Sequence, residues 1–73
     1  MSEHEDSIRV RINGEDRTIP RGLDVRSLLE RLELTPELVV VERNLEILER
    51  DRYGSVMIQE GDTLEVVHFV GGG

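Results

Sequence analysis

The sequence predicts an α+β fold, a mixed sheet packed on one main helix with elements in the order β-β-α-β-β-β. Three features predict it. Ile8, Val10 and Ile12 alternate strictly with Arg9 and Arg11 and run into Asn13-Gly14, the pattern of a hairpin strand and its turn. The period then changes: Val25, Leu28, Leu29 and Leu32 fall at i, i+3, i+4 and i+7, one face of a helix. Beyond the helix stand two β-branched apolar segments, "LVVVER" (38–43) and "TLEVVHFV" (63–70), which suit strands.

The first strand is "IRVRI" (8–12), half-buried through its isoleucines and valine. Asn13-Gly14 suits a type I′ turn, which needs φ > 0 at both central positions. "EDRTIP" (15–20) returns as the second strand. A two-residue loop sets Arg17 opposite Val10 on the inner face, so either a bulge shifts the register or Arg17 snorkels at the rim. The helix occupies "LDVRSLLERL" (23–32). Asp24 is its N-cap, Leu23 and Leu28 can form a hydrophobic staple, and Thr35-Pro36 ends the segment. "LVVVER" is expected to be a central strand, because its run of valines has no polar face. "NLEIL" (44–48) reads as a turn and short strand, and "ERDRYGSV" (49–56) as a polar connection with a helical turn. Glu60-Gly61-Asp62 is a turn, and the last strand starts at Thr63. Leu64 and Val66 should face inward, with Glu65, Val67 and Phe69 outward. A hairpin, a crossover helix and a final strand in so short a chain suggest a β-grasp, the ubiquitin-like roll. The expected organisation is a disordered lead-in (1–7), one β-grasp domain (8–69) and a flexible glycine-rich tail (70–73).

Seventy-three residues leave room for one core. Cysteine is absent, so neither a disulfide nor a thiolate metal site is available. A formal charge of −7 argues against nucleic acid as a partner and suits a basic docking face. No apolar run is long enough to span a membrane, and "MSEHEDSI" lacks the pattern of a signal peptide. A monomeric, cytoplasmic protein without a bound cofactor or metal is expected. His4 has no second histidine nearby and reads as a solvated residue. His4 and His68 are far apart in sequence, the acids read as solvated, and no serine, histidine and acid form a motif, so no catalytic site is expected. All nine basic residues are arginines. An arginine stays protonated and is no amine nucleophile, whereas a lysine could attack an activated acyl group at the chain's own terminus.

The tail gives that remark its point. "VHFVGGG" (67–73) takes a strand-like run into three glycines. Without Cβ atoms, glycines can thread a narrow channel and adopt backbone angles that other residues resist, so Gly71 and Gly72 could deliver the carboxylate of Gly73 to a partner's active site. The apolar outward residues Val67 and Phe69, joined by Val40 where Val39 and Val41 point inward, form a candidate docking patch beside the tail.

"VVVERN" (39–44), "ILERDRY" (47–53), "EGDTLEVVHFV" (60–70) and the terminal Gly-Gly together resemble the ThiS-type sulfur-carrier family of thiamine biosynthesis, from about residue 8 to the end. The resemblance implies a carrier rather than an enzyme. Gly73 would be adenylated by an E1-like enzyme (ThiF type) that consumes ATP. A sulfur-transfer protein would supply the sulfur of a C-terminal thiocarboxylate, and a thiazole synthase (ThiG type) would accept it. The small subunit of molybdopterin synthase, with the same fold, tail and activation chemistry, is the nearest alternative. A ubiquitin-like modifier joined to lysines is another.

Overall fold

The computed structural model describes residues 6–69. The chain builds β1 (Ser7–Ile12), β2 (Glu15–Pro20), α1 (Val25–Arg31), β3 (Val39–Arg43), β4 (Glu46–Ile47) and β5 (Thr63–His68), with short 3-10 turns at Pro36–Leu38 and Arg50–Arg52. The expected lead-in ends earlier than residue 7: Ser7 is already in β1, and the Arg21 N–H donates to the Asp6 carbonyl at 3.0 Å. His4 lies outside the described residues.

One five-stranded sheet runs in the order β2-β1-β5-β3-β4. β1 pairs antiparallel with β2 and parallel with β5, and β5 pairs antiparallel with β3. With α1 against one face, this is the β-grasp that the element order suggested. β3 lies inside the sheet, as expected of a central strand, and β5 is the middle strand. The parallel β1·β5 pairing inserts the last strand between the hairpin and β3, a long-range event that no local pattern announces.

Asn13 (φ 51°) and Gly14 (φ 83°) make the turn with both residues at positive φ, as a two-residue hairpin of this hand requires. Val10 faces Arg17 with no bulge. Val10 is buried, whereas Arg17 is exposed and pairs with Glu15 at 3.6 Å. The rim alternative therefore holds.

Asp24 caps α1 by accepting from the Ser27 N–H at 2.6 Å. The first free helix donors are also met: Val25 N–H donates to Val56 and Arg26 N–H to Tyr53, which ties the 53–58 loop onto the helix start. The helix ends before Thr35-Pro36. Leu34 N–H reaches the Leu29 carbonyl and Glu33 N–H the Glu30 carbonyl, each at 2.9 Å, around Glu33 at φ 64°. This is a Schellman closure with glutamate in the left-handed position that glycine usually holds.

Val25, Leu28 and Leu29 from α1 meet Ile8, Val10, Ile12, Val39, Val41 and Leu64 from the sheet in the core. Leu23 packs against the same cluster. The "polar connection" at 49–56 carries a core residue. Tyr53 is buried, and its hydroxyl donates to the Val39 carbonyl at 2.8 Å. Asn44 (φ 52°) and Leu45 (φ 73°) turn β3 into β4. A left-handed leucine costs about 1–2 kcal/mol, and Leu45 is 87% exposed, so the fold recovers little of that cost through burial.

Candidate functional site

The candidate site is β5 and the face that leads to the terminal glycines. The strand is fixed at three points along its length, each by a different device.

At its start stands Asp62, only 6% exposed. Its Oδ2 accepts from the Gln59 N–H at 2.8 Å and from Arg43 Nε at 2.9 Å, and its Oδ1 accepts from Asn44 Nδ2 at 3.1 Å. Burial pushes the Asp62 carboxyl up. The donors from Gln59, Arg43 and Asn44 outweigh this and hold it below the usual carboxylate range. Asn44 then closes the ring, with Oδ1 accepting from the Thr63 N–H at 2.9 Å. The Arg-Asn end of "VVVERN" and the Asp-Thr of "EGDT" are thus one polar knot joining the β3–β4 turn to the start of β5. The reading of every acid as solvated is corrected here. Asp62 can be buried because three donors replace its water.

In the middle of the strand, the Asn13 side chain does more than permit its turn. Its Oδ1 accepts from the Val66 N–H at 2.7 Å, and its Nδ2 donates to the Val66 carbonyl at 3.2 Å. The β1·β5 ladder ends at Ile12↔Leu64, so a side-chain amide imitates the next backbone pair. At the far end, Phe69 N–H donates to the Leu38 carbonyl at 2.8 Å. Phe69 is the last described residue and is therefore still in register with its neighbour.

The outer face of this strand carries the proposed patch. Leu64 is buried and Val66 packs against the core, while Glu65, Val67 and Phe69 are exposed, as alternation predicted. Val67 is 52% exposed and Phe69 55%. Val39 and Val41 are buried, which turns Val40 outward and directly opposite Val67. Leu38, whose carbonyl accepts from Phe69, is also exposed. The structure therefore brings Val40, Val67 and Phe69 to one end of one sheet face. Gly71, Gly72 and Gly73 lie outside the described residues.

Next along the ladder, Glu42 faces Glu65. Like charges directly opposite one another repel, and neither carboxylate has an ion-pair partner among the described residues. This pair sets acidic charge beside Val40 and Val67. Among the described residues, no group of histidines, cysteines and acids could hold a metal ion, and no helix is long and apolar enough to cross a membrane. The arrangement's evident capacity is positional: it anchors β5 at several points up to Phe69 and sets an apolar face with acidic neighbours on its outer side.

Known proteins resemble this chain in sequence and in fold. A model of the ThiS family matches residues 10–73. The chain is 45% identical over 49 residues to the sulfur carrier protein ThiS of Bacillus subtilis, covering 67% of this chain and 74% of that one. It is 44% identical over 66 residues to a thiazole synthase of Magnetococcus marinus, covering 90% of this chain and 20% of the relative. The chain spans about a fifth of the length of the thiazole synthases it matches. The crystal structure of the thiamine biosynthesis protein ThiS from Geobacter metallireducens superposes with a TM-score of 0.77 at 35% identity, over 90% of this chain and 100% of that one.

Proposed function

The chain belongs to the ThiS family, and from that premise we propose that it carries sulfur on its C-terminal glycine for thiazole synthesis. The carboxylate of Gly73 is the reacting group. A carboxylate is a poor acyl donor. An E1-like enzyme of the ThiF type joins it to AMP at the expense of ATP, which supplies a leaving group. Sulfide-level sulfur, delivered as hydrosulfide through a sulfur-transfer protein, then attacks the acyl carbon, forms the C–S bond as the bond to AMP breaks, and leaves a thiocarboxylate, whose sulfur a thiazole synthase of the ThiG type accepts. Gly71 and Gly72 give the tail the narrow cross-section needed to enter such an active site.

The observation that carries this reading is the family match, which runs unbroken through Gly73. The geometry supports it: β5 is fixed at Asp62, Val66 and Phe69, so a partner that grips the outer face also fixes the origin of the tail. Val40, Val67 and Phe69 form the contact, and the acidic charge beside them orients the tail toward a basic channel.

Deletion of Gly73 tests the reading. The shortened chain should fold as before and give no ATP-dependent pyrophosphate release with the adenylating enzyme, because its carboxylate stops one residue short. Extension beyond Gly73 should abolish the reaction equally, since the reacting group becomes an amide. A shortened chain adenylated at the normal rate would overturn it.

A further inference from the structure

Two bonds fix which residues of β5 face β3: Asn44 N–H to the Thr63 carbonyl and Phe69 N–H to the Leu38 carbonyl, both 2.8 Å. Pairs along an antiparallel ladder alternate between hydrogen-bonded and non-bonded. In this register Val39↔His68 is a non-bonded pair, so the His68 N–H and carbonyl point away from β3, toward β1. There the β1 ladder has already ended at Ile12↔Leu64, and Asn13 satisfies only Val66. Among the described residues nothing pairs with the His68 backbone. The open edge borders a groove with Ile12, Leu32, Leu34 and Val66 along it and Glu15 and Arg17 at its rim.

An unpaired strand edge beside a groove in which Leu32, Leu34 and Val66 form an apolar part among polar neighbours fits an added strand: the backbone pairs, and one side chain meets the apolar part. We propose that His68 and this groove receive an extended segment of the adenylating enzyme, which continues the sheet where β1 leaves it. This rests on the carrier reading above. The enzyme must hold Gly73, five residues from His68, and so few residues span at most about 18 Å when extended. Its surface therefore lies within about 18 Å of His68 whenever the tail is engaged. Glu15 and Arg17 already pair with each other, so the segment that fits is uncharged where it crosses the rim and apolar where it enters the groove. The tail strand is then gripped on both faces, through Val67 outside and His68 at the inner edge.

Amide hydrogen exchange on the whole chain, free and with the adenylating enzyme of the same genome, tests this. The His68 amide should exchange fast in the free chain and slow by about tenfold or more in the complex, as for a hydrogen bond gained. Val67, whose amide already lies in the β3 ladder, is the internal reference. His68→Pro removes a donor that β3 does not use, together with the imidazole and some backbone freedom at Val67 and His68, and should weaken binding about tenfold, whereas His68→Ala, which lacks the imidazole but keeps the donor, should bind as the unaltered chain does. If His68→Pro fails to fold, the exchange measurement still decides. Unchanged His68 exchange in a complex that does adenylate Gly73 overturns this inference alone, as does equal loss in the alanine variant. No adenylation of the unaltered chain overturns the carrier reading and this inference with it.

Discussion

Arg43 and Asp62, 19 residues apart, meet through a 2.9 Å bond between Nε and Oδ2, and this pair ties the end of β3 to the residue just before the tail strand. Asp62→Ala would leave the Gln59 N–H and the Arg43 guanidinium without their acceptor. The expected loss is about 2–3 kcal/mol, the range for hydrogen bonds to a charged group, read as a lower urea midpoint with unchanged slope.

The same pair sets a pH dependence. The folded Asp62 carboxyl titrates below its unfolded value, so its stabilisation is fully present above the unfolded aspartate pKa of about 3.9. It is lost as pH falls through the lower folded value. Urea unfolding between pH 7 and pH 2 should show a fall in stability below about pH 4 that is smaller in Asp62→Asn. An identical acid limb in both proteins would contradict this.

Asn13→Gly keeps the backbone angles of the turn and removes both bonds to Val66. A loss of about 1–2 kcal/mol is expected from two neutral hydrogen bonds. The distinctive readout is local. The Val66 amide should exchange much faster, while amides of α1 change only as global stability does.

Tyr53→Phe removes the hydroxyl that serves the Val39 carbonyl. That carbonyl belongs to a non-bonded pair with β5, and β4 is too short to reach it. Tyr53→Phe leaves it only the longer, 3.4 Å bond from Arg50 Nη2 and should cost about 1 kcal/mol, and Tyr53→Ala about 3–5 kcal/mol as for other large aromatics. Thermal unfolding measures both.

Val67→Arg should leave stability within about 0.5 kcal/mol, because the side chain is half exposed on the outer face. It should weaken binding to the adenylating enzyme by about 1 kcal/mol or more if Val67 lies at the centre of the contact. Titration calorimetry with a parallel unfolding curve separates the two. Loss of several kcal/mol of stability would place Val67 in the core instead.

These residues also mark how far the sequence could be read. Alternation gave Leu64 and Val67 opposite faces, and Asn13-Gly14 gave the hairpin, because both signals are local and periodic. Tyr53 was hidden, since one aromatic among "ERDR" has no period to follow. Asp62 read as a turn residue, because its partners at 43 and 44 come from a distant strand. Thr35-Pro36 is the breaker visible beyond the helix, but Glu33 turns the chain first, with a residue type that rarely takes that angle. Asn13 was read as a turn former alone. Its hold on Val66 depends on where β1 stops beside β5, which only the assembled sheet determines.

The central claim is that Gly73 carries sulfur, and intact mass tests it most directly. The whole chain is incubated with the adenylating enzyme of the same genome, ATP and a sulfur source, then weighed beside a sample without ATP. The account predicts a new species heavier by the difference between a sulfur and an oxygen atom, formed only with ATP and located by fragmentation at Gly73. An unchanged mass under conditions where a known ThiS protein gains sulfur, or sulfur placed anywhere but Gly73, would contradict it.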